Sequence, residues 1–293
     1  FIINYRADSA YIEEFTNIDP RELLFSFPTL SNIPEAESYS NEAVEWHTEP
    51  PTREDYEHRI NLVKQREREG DSYLANLTCK IPIRTNLSLH DIFMRSKALY
   101  RCWMKEKFVC FSPEIFVRIN REGLISSFPM KGTIDATRPD AEKELMENKK
   151  EAAEHATIVD LIRNDLSMIA EKVQVKRYRY VDHLTTNKGE ILQTSSEITG
   201  QLPVDYRQNI GTLLFHLLPA GSITGAPKPR TMEIIDAAEG YERDFYTGVM
   251  GCYSKGQLDS AVMIRFIDQD KDGQLHYKAG GGITAQSNND DEY

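Results

Sequence analysis

Runs of alternating apolar and polar residues outnumber helical runs in this chain, and several are parted by no more than a short polar turn. Side chains on a strand point to opposite faces in turn, so each run needs a sheet with a covered face. Tyr73, Ala75, Leu77, Cys79 and Ile81 alternate with Leu74, Asn76 and Thr78 directly after the Gly70-Asp71 break. Lys107–Ile119 and Gly123–Phe128 flank Asn120-Arg121-Glu122, and Val173–His183 precedes Glu190–Thr199. Tyr246–Ser254, Gln257–Gln269 and Gln274–Ala279 are parted by Lys255-Gly256 and Lys271-Asp272-Gly273. The pattern predicts an α+β fold, with large sheets packed together and helices outside, rather than the regular βαβ alternation of a doubly wound fold.

The helical runs are fewer. Thr52-Arg53-Glu54-Asp55 resembles a capping box, and Tyr56, Ile60 and Val63 recur at helical spacing until Gly70. Ser88-Leu89-His90-Asp91 opens a helix expected to reach Leu99, and Pro139 to about Ala170 reads as helical throughout. Tyr206–Leu218 and Arg230–Ala238 complete the set. Before residue 50, a short strand at Phe1–Tyr5 gives way to an irregular connection carrying Pro20, Pro28, Pro34 and Pro50.

With 293 residues the chain is long enough for one large domain or two small ones. It carries 46 Asp+Glu against 35 Lys+Arg, a formal net charge of −11, which argues against a nucleic-acid partner. No stretch reaches the roughly 18–20 apolar residues of a membrane helix, and Phe1-Ile2-Ile3-Asn4-Tyr5 has no charged leader, so no membrane partner and a cytoplasmic location are expected. Both ends are abrupt, and the natural chain is expected to continue past them. Cys79, Cys102, Cys110 and Cys252 form no C-x-x-C pair, so they read as core or surface thiols.

Glu151 and Glu154 lie three apart on the long helix, so both carboxylates project from one face. Such a pair can share a hard cation, although a solvated helix face is the commoner reading unless a third carboxylate joins it. Glu292, in the acidic tail after Gly280-Gly281-Gly282, is the candidate. Those glycines read as a turn after a strand, with backbone N–H groups open to an anion. Gly221–Lys228 leads into a helix N-terminus, and Lys131 ends a strand between Pro129 and Gly132. Arg265 closes the apolar run Ala261–Ile264, where a buried guanidinium needs a carboxylate partner.

Taken in order, Ser112–Glu114, Pro129–Thr133, Glu151–His155, Ile158–Leu166, Ser196–Gly200, Gly221–Lys228, Tyr246–Arg265 and Ala279–Ser287 resemble the chorismate-utilising enzymes. That family contains anthranilate synthase, isochorismate synthase, salicylate synthase and component I of aminodeoxychorismate synthase. The resemblance runs from about Gly70 to Tyr293 and implies two large stacked antiparallel β-sheets with helices outside, a single chorismate-binding domain over residues 1–293. It implies that Mg²⁺ holds the ring carboxylate of chorismate, with Glu151, Glu154 and Glu292 matching metal-binding positions. Arg265 and Tyr246 match residues that bind the enolpyruvyl carboxylate, Gly280 and Gly282 match backbone donors, and Ser222 matches a substrate-contacting hydroxyl. Glu114 matches a general acid that assists departure of the C4 hydroxyl, and His183 a histidine facing the substrate ring.

Two positions point to a branch of the family. Leu74 stands where isochorismate and salicylate synthases carry a water-activating lysine, and leucine cannot act as a base. Lys131 stands where aminodeoxychorismate synthase carries lysine and anthranilate synthase alanine. The resemblance therefore implies attack of Lys131 at C2 of chorismate, then addition of ammonia at C4 to give 4-amino-4-deoxychorismate on the route to 4-aminobenzoate and folate. No segment resembles a glutaminase, so ammonia is expected from a glutamine amidotransferase subunit or from solution. The rivals are an anthranilate synthase component I and a catalytically silent chorismate-binding subunit.

Overall fold

The computed structural model describes residues 1–34, 42–186 and 189–293. Part of the irregular connection expected before residue 50 lies outside the described residues. Two compact units are distinguished: residues 1–113, 223–250 and 261–293 form the first, and residues 114–222 and 251–260 the second. In chain order the first contributes β1 (Ile2–Ile3), β2 (Ala10–Tyr11), β3 (Leu23–Ser26), β4 (Trp46–Thr48), α1 (Arg53–Arg68), β5 (Leu74–Thr85), α2 (Leu89–Arg95), β6 (Tyr100–Met104) and β7 (Phe108–Ser112). The second follows with β8 (Ile115–Ile119), β9 (Leu124–Ser127), β10 (Met130–Asp135), α3 (Ala141–Glu147), α4 (Lys149–Ser167), β11 (Glu171–Thr186), β12 (Gly189–Gln201) and α5 (Ile210–Leu217). The chain then runs through β13 (Gly225–Ala226), α6 (Lys228–Glu239), β14 (Val249–Ser254), β15 (Gln257–Val262), β16 (Phe266–Gln269), β17 (Leu275–Ile283) and α7 (Asn289–Glu292).

These strands make two large antiparallel sheets, as the family resemblance implies. One has the order β13-β5-β17-β16-β7-β6-β3, with β4 also on β5; the other has the order β10-β12-β9-β8-β15-β14-β1-β2, with β11 on β12. The expected strand Lys107–Ile119 divides at Pro113-Glu114 into β7 and β8, which belong to different sheets. Gln257–Gln269 divides likewise: β15 stops at Val262, and Arg265, with φ +52°, stands immediately before β16. The three glycines 280–282 do not form a turn: they lie inside β17, opposite Thr78, Leu77 and Asn76 of β5. A Cβ on Gly280 would stand 2.3 Å from the Leu77 carbonyl oxygen, so the closeness of β5 demands glycine there.

In the first unit α1 starts where Thr52 accepts a hydrogen bond from the Asp55 amide, and it stops before Gly70, whose φ is +86°. Ser88 and Asp91 cap α2 reciprocally, but the helix ends at Arg95, short of Leu99. Ser96 turns to extended backbone there, and the Arg101 guanidinium donates to the carbonyls of Phe93 and Ser96 at the helix end. Ile60 and Val63 of α1 and Ile234 and Ala238 of α6 pack on Ala75, Leu77 and Ile283. Each Ile, Leu or Val side chain so removed from water contributes on the order of 1.5–3 kcal/mol.

In the second unit the helical run 139–170 is broken in two. Asn148, with φ −67° and ψ 108°, leaves the helix, and its side chain accepts from the Glu151 amide to start α4. Ala141 and Leu145 of α3 pack on Leu192, while α4 lies against β10, β11 and β12. The helix expected from Tyr206 begins at Ile210, since Tyr206 turns inward and donates its hydroxyl to the Gly256 carbonyl at 2.9 Å. No helix among the described residues is long and apolar enough to cross a membrane.

Candidate active site

Lys131 is the second residue of β10, and Glu151 and Glu154 lie one turn apart on α4. Packing α4 on β10 brings Lys131 Nζ to 2.7 Å from Glu154 Oε2, with both side chains largely covered. Lys150 stands 3.9 Å from the other oxygen of Glu154. Between Lys131 and Thr133 the ladder with β12 shifts register, and Gly132 takes φ +79°. A Cβ at Gly132 would lie 3.0 Å from Glu151 Oε2, so that carboxylate rests over the glycine. One amine and two carboxylates thus share a small patch of strand and helix.

His155, next along α4, is the residue that sequence reasoning missed. It is fully buried, and its Nε2 lies 2.6 Å from Ser196 Oγ. That hydroxyl also accepts from the Arg179 amide, and the Ser196 amide donates to the Pro129 carbonyl, two residues before Lys131. His155 and Ser196 therefore fasten α4 to the start of β10. Burial, reinforced by the nearby Arg179, holds the imidazole down to about 4, so the ring is neutral at ordinary pH. The available signal was its spacing with Ile158 and Val159 on the buried face.

Glu114 stands between β7 and β8, and Ser222 donates its hydroxyl to Glu114 Oε1 at 2.5 Å. Burial pushes the Glu114 carboxyl above the usual carboxylate range, and the Ser222 hydrogen bond opposes part of that rise. A carboxyl in this state keeps its proton longer and can donate it. His183 does not join this group. The ladder row through Lys131 and Thr194 meets β11 at Val181, so His183 falls further along the hairpin, opposite Leu192. It is exposed beside a hollow of about 600 Å³ with Arg138, Glu142, Lys143, Met146 and Glu190.

The remaining candidates lie in the first unit. Tyr246 is buried, its ring 5.7 Å from Phe266, and burial pushes its hydroxyl well above the usual range. Arg265 is exposed rather than buried, because residue 265 sits in the left-handed break between strands, and no carboxylate among the described residues pairs with it. Glu292 ends α7, with Oε2 3.9 Å from the position of a Cβ on Gly281. Lys64 of α1 holds this tail by donating to the Ser287 carbonyl at 2.6 Å and to Asn289 Oδ1 at 3.0 Å. Among the described residues no three His, Cys, Asp or Glu side chains converge as a ready-made metal site.

Residues 6–293 match the family model for chorismate binding enzymes. The chain belongs to the chorismate-binding enzyme family. An uncharacterized PabA-like protein of Haemophilus influenzae is 52% identical over 238 residues, which is 81% of this chain and 72% of that protein. The aminodeoxychorismate synthase component 1 of Salmonella typhimurium is 35% identical over 257 residues, 80% of this chain and 50% of that protein. The crystal structure of anthranilate synthase component I from Streptococcus pneumoniae superposes with a TM-score of 0.71 at 26% identity, covering 89% of this chain and 60% of that one. Membership makes this a chorismate-utilising protein of α+β fold.

Proposed function

We propose that the chain is a component I of the aminodeoxychorismate synthase type, acting through Lys131. The observation that carries the reading is the 2.7 Å approach of Lys131 Nζ to Glu154 Oε2 beside Glu151. An ammonium has no lone pair, so attack on carbon requires one proton to leave Nζ, and Glu154 is an acceptor within reach. The freed amine then bonds to C2 of chorismate, both ring double bonds shift, C1=C2 to C1=C6 and C5=C6 to C4=C5, and the C4–O bond breaks. Glu114 supplies the proton that lets the hydroxyl leave as water. Ammonia adds at C4 as an ammonium that then gives up a proton, both double bonds shift back, and the C2–N bond to Lys131 breaks, yielding 4-amino-4-deoxychorismate and the free lysine amine.

Magnesium prefers oxygen donors and is usually held by one or two carboxylates together with substrate oxygens and water. Glu151 and Glu154 fit that donor set and would hold it, with Glu292 assigned to the same role by resemblance. The ion would supply positive charge to the ring carboxylate of chorismate. On the same reading Arg265 and Tyr246 bind the enolpyruvyl carboxylate, with Gly280, Gly282 and Ser222 as further contacts. The ammonia source would be a glutamine amidotransferase subunit, and the reaction a cytoplasmic step toward 4-aminobenzoate and folate.

The test is incubation of the full-length protein with chorismate, MgCl₂ and a high concentration of ammonium at mildly alkaline pH, with the product identified by mass. Formation of 4-amino-4-deoxychorismate, lost in Lys131→Ala, is the expected result. Fluorescent anthranilate, or full activity in Lys131→Ala, overturns it.

A further inference from the structure

β5 is twelve residues long, yet its outer edge is covered piecemeal. β13 pairs with it at Leu74 and Ala75, and β4 at Ile83–Thr85. Between them the Asn76 amide donates to the Thr224 carbonyl, but the Asn76 carbonyl and the Thr78 amide meet no strand on that side. Side chains take the strand's place. Glu239, at the end of α6, accepts from the Thr78 amide at 2.7 Å and from the Thr78 hydroxyl at 2.8 Å. Arg243 donates to the Asn76 carbonyl at 2.5 Å and grips both oxygens of Glu239, at 2.9 and 2.6 Å. Both side chains are almost wholly buried.

The same guanidinium reaches two further segments. Arg243 Nη1 donates to the Ile223 carbonyl at 2.9 Å, in the loop that carries Ser222, and lies 3.4 Å from Thr247 Oγ1, beside Tyr246. On the other edge of β5, Thr78 is the register partner of Gly280 and Asn76 that of Gly282. The two backbone groups that the ion pair holds are thus those of the residues opposite the two proposed substrate donors. A buried ion pair of this kind adds little net stability over a well-packed apolar substitute, so its main consequence here is geometric.

We propose that Glu239 and Arg243 act together as a positioning pair for chorismate, replacing a missing strand so that Gly280, Gly282, Tyr246 and the backbone at Ile223 are held in fixed relation. This rests on the substrate roles proposed above. Lysine at 243 keeps the charge but cannot span Glu239, Asn76 and Ile223 at once, because it lacks the planar fork. Glutamine at 239 keeps the shape and loses the charge.

The test is calorimetric titration of chorismate into the full chain with MgCl₂ and no ammonia, so that binding is read without turnover. Arg243→Lys and Glu239→Gln are each expected to raise the chorismate Kd at least tenfold, and Thr78→Val, which keeps the backbone amide bond, threefold or less. Where turnover is measured, KM is expected to rise with these Kd values while kcat stays within about threefold. Wild-type Kd in a folded Arg243→Lys protein overturns the proposal, as does a lowered melting temperature with unchanged Kd. Should Arg243→Lys fail to fold, wild-type Kd in Glu239→Gln overturns it equally. Product identity is not read, so failure of the aminating reaction and failure of the positioning role are told apart.

Discussion

Glu67 is the penultimate residue of α1, 8% exposed, and burial pushes its carboxyl up to about 7 against the opposing pull of the Ala75 amide and Lys64. A glutamate ordinarily titrates at 4.5. At about 1.4 kcal/mol per pH unit, the difference makes ionised Glu67 cost the fold about 3 kcal/mol. Between pH 4.5 and 7 the unfolded chain has released this proton and the folded chain has kept it. The folded state binds more protons in that window, so stability falls as pH rises through it and levels off above. Glu67→Gln preserves shape and removes the titration. Urea unfolding at pH 4.5, 6, 7 and 8 should show the two proteins close together at the acid end and the variant ahead by about 3 kcal/mol at pH 8. A gap that does not widen with pH means that folded Glu67 does not hold its proton through this window. The consequence is practical, because Lys64 on the same turn of α1 docks the tail bearing Glu292, and amination assays run on the alkaline side.

Three other outcomes follow from the geometry. Gly225→Ala places a Cβ 1.8 Å from the Leu74 carbonyl oxygen at a φ of +121°, so β13 must leave β5; a loss of at least about 2 kcal/mol is expected from the urea midpoint, and a loss below about 0.5 kcal/mol contradicts it. Ser196→Ala strips a partner from both buried His155 Nε2 and the Arg179 amide, which should lower stability by about 2 kcal/mol in the same assay and reduce turnover by loosening α4 from β10. Ser222→Ala removes a hydrogen bond that favours ionised Glu114, so the carboxyl should hold its proton to higher pH. The alkaline limb of the pH profile of kcat/KM then moves upward, and a limb that moves downward refutes the assignment of Glu114 as acid.

The sequence announces its fold through alternation, and α1 is legible down to Thr52 and Gly70 because caps are local chemistry. Breaks within long runs are less visible. Asn148 interrupts a helical pattern of good formers through its own side-chain cap, and the run 257–269 is broken over Met263–Arg265 with no turn residue to signal it. Lys131 with Glu154 could be expected from two segments read together, since a strand end and one helix face supply them. His155 with Ser196 could not, because 41 residues and an intervening hairpin separate them. His183 shows the limit from the other side: it stands two places along the ladder from the row of Lys131, which its place in the sequence does not tell. Register is a property of paired strands, and one strand's sequence does not declare it.

The mended edge of β5 has a further consequence for the life of the chain in a crowded solution. A long strand with open amides and carbonyls is a template on which a second molecule can add, and such additions grow into fibres. Here β13, an ion pair and β4 succeed one another along the edge, and Pro82 offers no amide at all. None of these patches is long enough to be copied by an incoming strand. The Glu239–Arg243 pair that occupies the gap therefore also helps keep neighbouring molecules from zipping onto this edge.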